Sequence, residues 1–189
     1  MPKFVGTAGA DTLRGTSEAD LIRGRGGDDL LLGGSGSDIL EGGSGDDTLH
    51  GGTGRDFLYG GNGNDALFGG AGADFLYGGR DPDTLTGGTG DDTFLFDWAD
   101  AKFSTGNITD IITDFEVGDT LKLTGFSPID GDLVFGQVGN DVLVTFRGTF
   151  IIIDASGSPG ATFAYTLMRV LNAQVADVIA STDADGWVF

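Results

Sequence analysis

Ten aspartates recur at intervals of nine residues: Asp11, Asp20, Asp29, Asp38, Asp47, Asp56, Asp65, Asp74, Asp83 and Asp92, each in or just after a glycine-rich turn. The most regular copies read GGSGSDILE (33–41), GGSGDDTLH (42–50), GGTGRDFLY (51–59), GGNGNDALF (60–68) and GGAGADFLY (69–77). Such turns offer carboxylate and carbonyl oxygens, with no nitrogen or sulfur ligand. Oxygen-only donor sets suit a hard cation that takes about six to eight oxygens, and calcium fits best. Left bare, rows of carboxylates would repel one another.

The elements that position these aspartates follow from the same period. Glycine enters positive φ without steric penalty, so Gly-Gly-x-Gly-x-Asp reads as a tight turn with its carbonyls aimed inward. The three residues after it are too few for a helix and read as a short strand. Its eighth repeat position faces one way, and the seventh and ninth face the other. One repeat is then a turn plus a strand, and two repeats make one coil of 18 residues. The core becomes Leu13, Ile22, Leu31, Leu40, Leu49, Leu58, Leu67, Leu76, Leu85 and Phe94. Stacking of alternate repeats aligns Asp11, Asp29, Asp47, Asp65 and Asp83 on one edge, and Asp20, Asp38, Asp56, Asp74 and Asp92 on the other. The fold class is all-β, a calcium-binding parallel β-helix.

The nonapeptide resembles that of the RTX (repeats-in-toxin) family, the hemolysin-type calcium-binding repeats. The resemblance implies a right-handed parallel β-roll of about ten repeats over residues 1–95. It also implies calcium between successive turns on each edge, held by the Asp of one repeat, the Asp two repeats on, and glycine-turn carbonyls. The ligand set so implied is the ten aspartates together with Gly33, Gly34, Gly36, Gly42, Gly43, Gly45, Gly51, Gly52, Gly54, Gly60, Gly61, Gly63, Gly69, Gly70 and Gly72. Five turns per edge leave four gaps, so two edges offer up to about eight Ca2+ sites. Departures from the pattern fall near the ends. Thr7, Thr16 and Arg25 replace the second glycine, Glu18 replaces the fourth-position glycine, and Asp81 and Pro82 interrupt the ninth repeat. Asp tolerates a left-handed conformation where most residues do not, so the turn at Asp81 is expected to survive.

Beyond Leu95 the period stops. The segment NITDIITDFEVGDTLKLTGF (107–126) resembles the block that follows the repeats in secreted RTX proteins such as the serralysin-type metalloproteases, with Asp110, Asp114 and Asp119 at matching places. LVFGQVGNDVLVTF (133–146) alternates around a Gly-Asn-Asp turn and reads as a hairpin, and GTFIIIDA adds a strand. Open-ended solenoids need a cap, and residues 96–160 are read as a β-rich C-terminal cap. Residues 161–189 form a further segment. Phe163, Leu167, Leu171, Val175 and Val178 give a partly helical spacing there, while 166–171 reads equally as a strand. The final Asp183, Asp185, Trp187, Val188 and Phe189 resemble the uncleaved signal read by type I (ABC transporter) secretion machinery.

Composition narrows the function classes. The chain has 29 acidic residues against 10 basic ones, a net charge of -19. That balance argues against nucleic acid or an anionic membrane surface as partner, since phosphate contacts need Lys and Arg. Zero Cys removes disulfides and thiol metal sites. MPKFVGTAGA lacks the apolar core of a signal peptide, and no apolar run approaches the ~18 residues of a membrane span. Each repeat orders nine residues around one large buried side chain, a poor balance that acidic repulsion worsens. An ion bound only by the folded state closes the gap. The expectation is an extracellular, calcium-dependent module.

Two function classes follow. The first is a non-enzymatic module for adhesion, matrix or surface assembly, or a folding and export unit; the second is the C-terminal RTX part of a secreted protease, lipase or alginate epimerase. The sequence favours the first, having neither H-E-x-x-H nor G-x-S-x-G, and its only histidine, His50, falls at an outward position. The period also places Phe57, Tyr59, Phe75 and Tyr77 together on one outer face. Such a face suits self-association, contact with a polysaccharide, or cover by the C-terminal region.

Overall fold

A computed structural model of the chain describes residues 1–97, 110–115, 118–124, 132–138, 141–147 and 166–170. Every regular element among the described residues is a strand. Eleven strands follow the repeat: β1 (Lys3–Val5), β2 (Thr12–Arg14), β3 (Leu21–Arg23), β4 (Leu30–Ser35), β5 (Ile39–Ser44), β6 (Thr48–Thr53), β7 (Phe57–Asn62), β8 (Ala66–Ala71), β9 (Phe75–Arg80), β10 (Thr84–Thr89) and β11 (Thr93–Asp97). Five more come later: β12 (Asp110–Ile112), β13 (Thr120–Thr124), β14 (Asp132–Val138), β15 (Asp141–Arg147) and β16 (Thr166–Val170). Among the described residues no helix is long and apolar enough to cross a membrane.

Successive strands alternate between two sheets, as the nine-residue period requires. One sheet runs β1-β3-β5-β7-β9-β11-β13 and the other β14-β15-β16-β12-β10-β8-β6-β4-β2. Within the repeats all pairing is parallel and the register is 18 residues, as in Leu40↔Leu58 and Leu58↔Leu76. The result is a β-solenoid of about five coils. Strands β4 to β10 are longer than three residues, because the first two glycines of the next repeat continue the ladder, as in Gly43↔Gly61↔Gly79. Parallel neighbours on both sides give those peptides partners that an isolated turn would lack.

The core is a single file of side chains between the sheets. Ile22, Leu31, Leu40, Leu49, Leu58, Leu67, Leu76, Leu85 and Phe94 are fully buried. Leu13 belongs to the predicted core yet is only partly buried, because β2 is the outermost strand of its sheet and has a neighbour on one side alone. At the other end the file widens into Phe94, Phe96, Ile112, Phe115 and Leu121, with the Phe94 and Phe115 rings 6.0 Å apart.

The roll does not stop at Leu95. β12 pairs with β10 and β13 with β11, both parallel, so residues 110–112 and 120–124 extend the two sheets by one strand each. The predicted hairpin is present as β14 and β15, antiparallel from Asp132↔Arg147 to Val138↔Asp141. Of the two readings for 166–171, the strand is found: β16 joins β15 to β12. The strand expected in GTFIIIDA and the signal-like residues 183–189 lie outside the described residues.

On the outer face of the first sheet Phe57 and Phe75 stand in register with Ile39, and Tyr59 and Tyr77 with Glu41. Their rings touch in a chain: Phe57 to Phe75 at 5.9 Å, Tyr59 to Phe75 at 6.0 Å and Tyr59 to Tyr77 at 6.4 Å. Arg55 lies 5.3 Å above the Phe57 ring, and all four aromatic side chains are half-buried.

Candidate metal centre

The turns set the geometry of both aspartate rows. From the third repeat onward, backbone at the second and fourth repeat positions is left-handed, for example at Gly52 (φ 113) and Gly54 (φ 124). A methyl group on Gly54 would also overlap the Gly36 carbonyl of the coil below, so two independent constraints demand glycine there. Asp81 takes the fourth position with φ 75 and Arg25 the second with φ 86, so both turns survive their substitutions.

From Asp29 to Asp83 each aspartate of the rows then uses its two oxygens differently. Oδ1 accepts the backbone N–H of the aspartate 18 residues earlier: Asp38 from Asp20, Asp47 from Asp29, Asp56 from Asp38, Asp65 from Asp47 and Asp74 from Asp56, all at 2.8 Å. The ladder continues past the repeats. Asp110 accepts from Asp83 at 3.0 Å and Asp119 from Asp92 at 2.9 Å. All ten sequence-predicted aspartates therefore lie in the two expected rows, and Asp110 and Asp119 add a rung to each.

The other oxygen is the chemically open one. Oδ2 of Asp29, Asp38, Asp47, Asp56, Asp65, Asp74 and Asp83 is buried and meets no donor. A buried acceptor without a partner is costly. Its surroundings are acceptors too: a methyl group on Gly33 would lie 2.5 Å from both Asp38 Oδ2 and the Gly51 carbonyl oxygen. The first-position glycines Gly42, Gly51, Gly60 and Gly69 face the same pair of oxygen types. The predicted glycines divide accordingly. First-position residues leave room for the carboxylate, whereas Gly34, Gly36, Gly43, Gly45, Gly52, Gly54, Gly61, Gly63, Gly70 and Gly72 shape the turn through positive φ.

Electrostatics agree. Burial raises the carboxyls of Asp47, Asp56, Asp74 and Asp92 to about 6 and that of Asp65 to about 7, against an ordinary 3.8, and the ladder hydrogen bond only partly offsets this. Asp83 is pushed higher still, by burial first and then by Asp110. Converging carboxylate and carbonyl oxygens with no donor fit a hard cation such as calcium. Among the described residues no group of three or more His, Cys, Asp or Glu side chains gathers at one point. Any cation here must take much of its shell from backbone carbonyls.

Sequence reasoning left three features out of the site. Asp110 and Asp119 carried a usable signal, being nine residues apart and each followed two residues on by a core side chain, Ile112 or Leu121. Asp114 accepts the N–H groups of Gly87 (2.9 Å) and Gly88 (2.8 Å), a contact across the break that no local pattern announces. Thr7 and Thr16 each donate to the nearest aspartate of their own repeat.

Residues 5–40, 41–76 and 68–98 match the family model of the RTX calcium-binding nonapeptide repeat (4 copies). A search of curated proteins gave no match. Among solved structures, the extracellular lipase LipA from Serratia marcescens aligns with 94% of this chain at 17% identity and a TM-score of 0.39. This chain spans 39% of that protein. The AlgE6R3 subunit of the Azotobacter vinelandii mannuronan C5-epimerase aligns with 96% of this chain and 84% of its own, at 25% identity and a TM-score of 0.32.

Proposed function

We propose, from the premise that this chain belongs to the RTX family of calcium-binding nonapeptide-repeat proteins, that it is a non-enzymatic extracellular module whose fold is completed by calcium. RTX nonapeptide repeats bind calcium. The single observation that carries the reading is the set of seven buried, donor-less Oδ2 atoms, those of Asp29, Asp47, Asp65 and Asp83 on one edge and of Asp38, Asp56 and Asp74 on the other. Those oxygens and the adjoining glycine-turn carbonyls would hold the ions. Calcium, when bound, supplies the positive charge that lets buried carboxylates stay ionised and close together.

The chain's own part is to present those oxygens only when coiled. An extended chain scatters ligands that the roll brings within one turn of each other, so cation binding and folding are one equilibrium. Export by the type I route is the companion proposal, supported by the resemblance of Asp183, Asp185, Trp187, Val188 and Phe189 to the signal that route reads. A calcium-poor cytosol would keep the chain unfolded for transit. Outside, the roll would serve in adhesion, matrix or surface assembly, and the aromatic face of Phe57, Tyr59, Phe75 and Tyr77 offers the contact surface.

Far-UV circular dichroism tests this directly. In chelator the chain should give a disordered-type spectrum, and millimolar calcium should produce β signal cooperatively. Magnesium should do far less, because it demands tight octahedral geometry and gives up water reluctantly. A roll fully folded in chelator overturns the proposal.

A further inference from the structure

The second repeat position is a glycine in most copies and is replaced at three, Thr7, Thr16 and Arg25. These replacements behave in two ways. Arg25 keeps the left-handed backbone of the glycines, and Oδ2 of its aspartate, Asp29, remains buried and without a donor. Thr7 and Thr16 do not enter positive φ, which β-branched residues strongly disfavour. Their peptides turn the N–H toward the carboxylate. Thr16 donates its N–H (2.6 Å) and its hydroxyl (2.9 Å) to Asp20 Oδ2, and Thr7 does the same to Asp11 Oδ2 at 2.6 and 2.9 Å.

The oxygen so occupied is the one left open elsewhere. Asp20 Oδ2 lies against Gly15 as Asp38 Oδ2 lies against Gly33. Asp20 Oδ1 has no ladder donor, because the residue 18 positions earlier is Pro2, which has no N–H. Asp20 Oδ1 thus stays without a donor, and both donors that this carboxylate receives come from Thr16 and fall on Oδ2. Two donors converging on one oxygen place partial positive charge where a cation would sit.

We propose that Thr7 and Thr16 take the place of a calcium ion at the first rung of each edge. At Asp11 and Asp20 the Oδ2 position is then closed by hydrogen bonds, and the rungs whose Oδ2 is open to an ion begin at Asp29 and Asp38. The residue at the second position selects between the two kinds of rung: Gly, or Arg in the left-handed conformation, leaves an ion rung, and Thr makes a hydrogen-bonded one. This inference rests on the reading that the aspartate rows bind calcium.

Native mass spectrometry of the full chain at saturating calcium counts tightly held ions and decides the matter. Thr16→Gly should bind at least one ion more than the parent. Arg25→Thr should bind at least one fewer, while Arg25→Gly keeps the parental number. Thr16→Val retains the β-branch and the N–H, so it too should keep the number and only lower the melting temperature. An unchanged count in either Thr16→Gly or Arg25→Thr, with the roll intact by circular dichroism, overturns the inference. Since the two variants are expected to move in opposite directions, loss of folding in one leaves the other to decide. A parent chain that folds without binding any calcium would instead overturn the proposed function.

Discussion

Asp65 receives the backbone N–H of Asp47, 18 residues earlier on the same edge, on Oδ1 at 2.8 Å, while its Oδ2, buried beside Gly60, meets no donor. One carboxylate thus does two jobs: it ties one coil to the next and leaves a single oxygen for a cation. The pairing recurs along both edges, so substitutions at the centre and at the end of a row should differ sharply.

Asp65→Ala removes both functions. It strands the buried Asp47 N–H, a loss of about 1–3 kcal/mol, and deletes a ligand oxygen, so the calcium midpoint of folding should rise strongly. Asp65→Asn keeps an acceptor for Asp47 but not the charge, and should raise the midpoint less. Asp11→Ala touches a carboxylate already bonded to Thr7 and should barely move it. Equal shifts for Asp65→Ala and Asp11→Ala in a calcium titration followed by circular dichroism would show the row assignment to be wrong.

The pH dependence should change sign with calcium. Carboxyls raised from 3.8 to about 6 or 7 mean that the ion-free roll holds protons the unfolded chain has already released. In chelator, residual roll structure is therefore favoured below about pH 4 and lost as pH climbs through about 6 to 7. In calcium, protons and ions compete for the same oxygens, so the midpoint concentration should fall from about pH 6 to about pH 8. Two titrations at those pH values, and melts in chelator across the acid range, measure both slopes.

Glycine is required at some turn positions and optional at others. Gly54→Ala meets both a left-handed backbone and the Gly36 carbonyl, and should abolish cooperative folding or raise the calcium midpoint severely. Gly9→Ala enters open space and should be near neutral. Thermal melts of the two calcium-loaded variants check the contrast.

Core truncation should also depend on position. Leu58 is fully buried between Leu40 and Leu76, so Leu58→Ala should cost about 2–5 kcal/mol. Leu13, half-buried on the outermost strand, should cost clearly less. Calcium-loaded urea denaturation gives both numbers.

For the aromatic face, Phe57→Thr with Phe75→Thr removes two rings from the contact chain without touching either aspartate row. If this surface mediates self-association, light scattering in calcium should show a mass above monomer for the parent and a monomer for the double variant. A monomeric parent would exclude self-association.

The repeating part of this protein is legible in its residues alone. In a solenoid each unit meets only its neighbours, so a period of nine with Asp at the sixth place and Leu at the eighth dictates two sheets, one core file and two carboxylate rows. It also fixed which face would carry the aromatic residues, since alternation along a strand is a local rule. Tertiary structure decided everything that depends on contact between coils or across a break in the period. That the carboxylate splits its oxygens between a ladder bond and an open site follows from the height of one coil above the next. The reach of Asp83 to Asp110 and of Asp92 to Asp119 spans 27 residues instead of 18; the nine-residue spacing of Asp110 and Asp119 hints at a further pair of repeats, but the pairing of β12 and β13 sets their register on the roll. Leu13, identical in type and spacing to Leu58, is half-exposed because the sheet ends beside it. Thr16 and Arg25 look alike as departures from glycine, yet the one turns its N–H onto the carboxylate and the other does not, because a β-branch forbids the backbone conformation that arginine can still adopt.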